Sequence, residues 1–110
     1  MASVYKVLAQ AAPAATTEST LYTVPAGYSA VVSTIAIANQ AGSSGTYRIA
    51  VRPAADASTT QKHWIVYGAT VAASDSIMLT LGITLAAGDL VRVYASSADM
   101  SFSAFGSEIN

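Results

Sequence analysis

Large apolar residues recur at every second position along most of this chain, and that period commits it to strands. In Thr46-Tyr47-Arg48-Ile49-Ala50-Val51-Arg52, the residues Tyr47, Ile49 and Val51 fall on one face. Thr46, Arg48 and Arg52 fall on the other, which is the pattern of a half-buried strand. Pro53 ends the run by removing a ladder donor. Ser76 to Leu81 alternates in the same way, with Ile77, Leu79 and Leu81 against Ser76, Met78 and Thr80. Leu90 to Ala95 sets Val91, Val93 and Ala95 against Leu90, Arg92 and Tyr94. Tyr28 to Asn39 is longer, with Val31, Ile35 and Ile37 on one face and Val32, Ala36 and Ala38 on the other. Apolar content on both faces predicts a strand covered on both sides.

Lys62 to Tyr67 and Met100 to Phe105 are rich in aromatic and β-branched residues, and Val4 to Gln10 and Thr20 to Val24 complete a set of about eight strands. The punctuation agrees. Pro25-Ala26-Gly27 and Ala86-Ala87-Gly88-Asp89 read as turns, Gln40 to Gly45 as a Gly/Ser hairpin loop, and Ala54 to Thr60 as a small-residue loop. No amphipathic helix of ten or more residues is evident. The expectation is an all-β chain, a single antiparallel β-sandwich, with jelly-roll and immunoglobulin-like topologies both open. It forms one domain over residues 1–110, in which 1–19 is an N-terminal arm or an edge strand. Thr23-Val24-Pro25-Ala26-Gly27 and Thr84-Leu85-Ala86-Ala87-Gly88 echo one another, as two equivalent corners of a sandwich would.

Composition narrows the function. Hydrophobic residues make up 53% of the 110 positions and charged ones 10%, well under half the usual share. Much of the apolar content is alanine, so larger side chains suffice for one core and little more. With a net charge of −1, and with Lys6, Arg48, Arg52, Lys62 and Arg92 scattered along the chain, capture of nucleic acid is excluded as a main activity. No apolar run approaches the ~20 residues that span a bilayer, so membrane insertion is not expected. Lys6 and Gln10 interrupt the apolar N-terminal stretch, unlike a secretory leader. The absence of cysteine removes disulfides, thiolate metal sites and a cysteine nucleophile.

The residues for catalysis are sparse. His63 is the one histidine, so no multi-histidine metal site forms within a chain, and it is expected beside Lys62 and Trp64 near solvent at a strand start. Gly42-Ser43-Ser44-Gly45 falls one residue short of a nucleophile elbow and reads as turn chemistry. Of the carboxylates, Asp75 and Asp89 open strands, where Asp bonds nearby backbone amides. No cofactor is expected and no catalytic or metal-ligating residue is assigned. The candidates that remain are aromatic. Trp64, Tyr67, Tyr28 and Tyr22 are the residues expected at an interface or a glycan contact, with Tyr22, Tyr28 and Tyr94 near strand ends at the edges of the sandwich.

Several runs together carry a resemblance. They are Leu21-Tyr22-Thr23-Val24-Pro25-Ala26-Gly27, Val32-Ser33-Thr34-Ile35 with Ala38-Asn39, and Thr46-Tyr47-Arg48-Ile49-Ala50-Val51. Leu79-Thr80-Leu81-Gly82-Ile83-Thr84-Leu85 with Gly88-Asp89, then Val93-Tyr94-Ala95-Ser96 and Phe102-Ser103-Ala104-Phe105-Gly106, come next in order. From about Tyr5 to Ile109 the chain resembles small virion structural proteins of tailed bacteriophages, including phages of cyanobacteria and marine bacteria. The resemblance implies a non-enzymatic β-sandwich module, made in the host cytoplasm and placed on the capsid as a decoration (cement) protein. The alternative it implies is a tail-fibre or baseplate part that contacts host glycans or other tail proteins. Its expected partners are copies of itself, as a homo-oligomer with a trimer foremost, and the major capsid protein. Few charges and many small residues suit a surface built for subunit contacts.

Overall fold

Strands form where the alternation places them in the computed structural model, which describes residues 3–110. They are β1 (Ser3–Ala11), β2 (Ser19–Thr23), β3 (Ser29–Asn39), β4 (Gly45–Arg52), β5 (Trp64–Val71), β6 (Ser76–Leu85), β7 (Leu90–Ala95) and β8 (Met100–Ile109). One sheet has the order β1-β8-β3-β6 and the other β2-β7-β4-β5, with every pair antiparallel. Only β4 and β5 are consecutive strands in the same sheet; every other connection crosses between sheets. That order is a jelly roll, which decides between the two topologies open to the sequence. Among the described residues no helix is long and apolar enough to cross a membrane.

The inward faces are those the period predicts for β4, β6 and β7. Tyr47 and Ile49 meet Val91, Val93, Ile35, Ile37 and Phe102 in the core between the sheets. Burying side chains of this size contributes roughly 1.5–3 kcal/mol each. The long strand β3 departs from expectation. A bulge at Ser33 shifts its phase, so Val32, Ile35 and Ile37 are buried while Val31 joins Ala36 and Ala38 on the outside. That outer face is not covered by any part of the described chain, contrary to the two-sided burial its composition predicts. Leu8 bulges from β1 at the same level, opposite Phe105 and Ala104. Gly106 of β8 lies between these two irregular strands and comes so near β3 that a Cβ would stand 1.9 Å from the Val31 carbonyl oxygen.

Other local expectations are corrected too. Gln40 to Gly45 is no hairpin, because it carries the chain from β3 in one sheet to β4 in the other. Lys62 and His63 belong to a 3₁₀ turn, Gln61–His63, that precedes β5. Of the 1–19 segment, residues 3–11 form an edge strand paired with β8, while Met1 and Ala2 lie outside the described residues.

Each end of the sandwich is tied by one polar side chain. At one end the buried Asn39 donates through Nδ2 to the carbonyls of Ser43, Val71 and Ala72 and accepts from the Ala41 amide. At the other, Asp89 accepts from the amides of Ala54 and Ala86. Asp75 likewise accepts from the Ser76 amide, so both strand-opening aspartates bond backbone as expected. The two echoing corners prove to be neighbours. Tyr28 N–H bonds to the Pro25 carbonyl and Asp89 N–H to that of Ala86, giving the same turn twice, and Gly27 and Gly88 take φ of 82° and 85°. Gly88 N–H then donates to Val24 and Val24 N–H to Asp89, stitching one turn to the other.

Candidate functional site

The two outer faces of the sandwich differ in chemistry. On the first sheet, register aligns Tyr5, Ser107, Val31 and Thr84 in one row across all four strands. Val7, Phe105, Thr34 and Thr80 form the next, followed by Gln10, Ser103, Ala36 and Met78 and then by Ser101, Ala38 and Ser76. Among the described residues none of these outward positions carries a charge. Tyr5 is 85% exposed and Met78 71%, and between them lie Phe105, Val7, Gln10 and small side chains.

The second sheet carries the charge. Arg48 and Arg52 project outward from β4 and Arg92 from β7, so basic residues scattered in sequence share one face. Arg92 Nε donates to Glu18 Oε2 at 2.7 Å, and Thr59 Oγ1 donates to the same oxygen at 2.6 Å. Arg52 donates to Thr59 Oγ1 at 3.1 Å, which fixes the β4–β5 loop against the sheet. Burial pushes the Glu18 carboxyl up, but the hydrogen bonds from Thr59 and Arg92 and the charges of Arg92 and Arg52 outweigh it and leave it below its ordinary value.

Beside this network stands an aromatic corner. Trp64 and Tyr67 meet edge to face, with centroids 5.5 Å apart and planes at 73°. A strict alternation would place residues three apart on opposite faces. The extra residue Ile65, skipped where Trp64 pairs with Ala50 and Val66 with Ile49, restores both rings to the outside. The Arg48 guanidinium lies 4.1 Å from the Tyr67 ring centre and 4.2 Å from that of Tyr94, a double cation–π contact. Trp64 and Tyr67 also line an open depression of about 610 Å³ with Thr59, Thr60 and Gln61.

The sequence candidates therefore separate. Trp64 and Tyr67 come together on the surface. Tyr28 sits in the β2–β3 turn and is outside their ring contact. Tyr22 is corrected: it is only 6% exposed, because the bulge at Leu21 turns it into the sandwich, and its hydroxyl donates to Glu108. Tyr94 lies not at an edge but over the face of β7, packed on Arg48. Arg48, Thr59, Thr60 and Gln61 were not singled out from the sequence. The outward phase of Arg48 and Tyr94 was readable; their meeting depended on the pairing of β4 with β7.

His63 is also corrected, from near solvent to 4% exposed. Its Nδ1 accepts the Thr60 amide at 2.8 Å, so Nε2 carries the proton and donates to Asp56 Oδ2 at 2.8 Å. Both ring nitrogens are thereby committed to holding the loop, and neither is left to move a proton for a substrate. The His63 hydrogen bond, helped by the charge of Lys62, outweighs burial and holds the Asp56 carboxyl below its usual range. Among the described residues no three His, Cys, Asp or Glu side chains converge in a way that could hold a metal ion.

Comparison with protein-family models gives no match, and a search of curated protein sequences gives no significant one. The surfaces themselves therefore carry the functional argument.

Proposed function

We propose that this chain is a non-enzymatic virion structural protein that associates with copies of itself and stabilises or decorates a bacteriophage capsid. The observation that carries this reading is the uncharged outer face of the first sheet. Four strands of about ten residues, spaced ~4.8 Å apart with a rise of ~3.3 Å per residue, give a plan area of roughly 600 Å². That is of the order of the ~800 Å² each partner contributes to a stable interface. A face of Ser, Thr, Ala and Val with Tyr5, Phe105, Gln10 and Met78 among them meets a copy of itself without opposing like charges and with little desolvation cost. The resemblance to phage virion proteins supports the same reading.

Sedimentation equilibrium tests it. The expected result is a defined oligomer that Ala36→Lys, in the middle of the face, dissociates while the fold is retained. A dimer would mark face-to-face packing and a trimer the face against a second patch. A wild-type monomer at every concentration would sink the proposal. The capsid assignment is tested by locating the protein in intact particles, where a high copy number spread over the head is expected.

A further inference from the structure

The aromatic corner on the second sheet lies on the opposite face from the one assembly would use, and it needs an explanation of its own. Its depression, about 610 Å³, falls within the ~300–1,000 Å³ of small-ligand sites. Two aromatic side chains wall it, and two threonines and a glutamine complete the rim. That lining suits a saccharide. One face of a pyranose presents a patch of C–H bonds that packs on an aromatic ring, while hydroxyls at its edge exchange hydrogen bonds with side-chain hydroxyls and amides.

Arg48 sets the charge of that saccharide. Its guanidinium carbon lies 4.1 Å from the ring centre of Tyr67 and 4.2 Å from that of Tyr94, and the planar group carries its N–H donors along its edge. Arg92 is paired with Glu18 and Lys62 with Asp56, but among the described residues no carboxylate pairs with Arg48. A cation held in place by aromatic rings, without a counter-ion, is a ready partner for a carboxylate through two parallel N–H bonds. The rings stand at 73° to one another, which does not offer successive bases the parallel platforms of a single-stranded nucleic-acid channel. We infer that this corner binds an acidic saccharide, with a uronic-acid unit packed on Trp64 and Tyr67 and its carboxylate on Arg48.

Trp64 is the chain's one tryptophan, so its fluorescence reports on the site directly. Wild-type protein is titrated with oligogalacturonate, with the methyl-esterified oligomer and with oligothymidylate, and the variants are followed by calorimetry. Oligogalacturonate is expected to give a saturable change, with the ester about tenfold weaker. Arg48→Gln should abolish that discrimination, and Tyr67→Ala, at a side chain 65% exposed and outside the core, should weaken both sugars. Equal affinity for acid and ester, discrimination that survives Arg48→Gln, or no saturable response to either sugar overturns the inference. Binding of oligothymidylate with the acid sugar silent overturns it too, in favour of nucleic acid. None of these results depends on whether Ala36→Lys alters assembly, so the two proposals fail separately.

Discussion

The Tyr22 hydroxyl donates a hydrogen bond to the Glu108 carboxylate between the two sheets, joining β2 to β8 across 86 positions of sequence. Glu108 is otherwise held by Lys6, whose Nζ lies 2.7 Å from Oε1. The hydrogen bonds from Lys6 and Tyr22 outweigh burial and hold the Glu108 carboxyl below its ordinary value of 4.5. A carboxyl lowered on folding contributes stability that is fully present above that value and is lost as pH falls through the lowered one. Urea midpoints measured from neutral to acid pH should therefore drop more steeply below about 4.5 in the wild type than in Glu108→Gln. Tyr22→Phe should cost about 1.5–3 kcal/mol at neutral pH, the range for a hydrogen bond to a charged group. Parallel acid profiles for wild type and Glu108→Gln would contradict the assignment.

Gly106→Ala should prevent folding or cost more than ~3 kcal/mol, because the methyl group would meet backbone of β3 rather than a side chain that can turn aside. Gly42→Ala is the matched control. No atom lies within 4 Å of a Cβ there, so its thermal midpoint should barely move.

Ile49→Asp should leave no folded protein, since Ile49 has no exposed surface and a carboxylate there is buried without a partner. Ile49→Val, which removes one methylene group, should cost only about 0.5–1.5 kcal/mol. Circular dichroism and dispersion of amide resonances distinguish the two outcomes. A folded, soluble Ile49→Asp would mean the inward face of β4 is wrong.

Asn39→Ala should lower stability by about 2–4 kcal/mol, because it strips the partners from backbone groups of the β3–β4 loop and of the end of β5 at once. Asn39→Asp should not rescue it. The carboxylate could still accept from Ala41 but would face the Ser43, Val71 and Ala72 carbonyls with no donor. In thermal melts each kcal/mol corresponds to a fall of about 4–8 °C in a domain of this size.

The strands and the inward faces of β4 and β7 were legible because alternation and burial share one cause, a pleated sheet with one wet side. The alternation of β6 was legible too, with Ile77, Leu79 and Leu81 inward, but the phase of β1, β2, β3 and β5 was not. Leu8, Leu21, Ser33 and Ile65 each add a residue to one strand without any compositional mark, and each reverses the faces of the residues beyond it. That reversal hid the burial of Tyr22, inverted the first third of β3 and concealed that Trp64 and Tyr67 are neighbours. His63 was misplaced for a different reason. A histidine next to a lysine looks solvated until the loop that supplies Asp56 and the Thr60 amide folds over it. Arg48 was visible as an outward residue, but its contact with Tyr94 depends on strands more than forty positions apart in sequence coming side by side.

Strand β8 sits between β1 and β3, and without it the first sheet is two unconnected pieces. A ribosome makes β1 first and β8 after every other strand, so Ser3 waits for Ile109 through the synthesis of the whole sandwich. Until then β1 has no neighbour to pair with, and β3 has one bare edge. The first sheet therefore cannot close before β8 has been made, and it closes at the slow pace of chains whose contacts are far apart in sequence. The ten residues of β8 thus act as a latch on the first sheet.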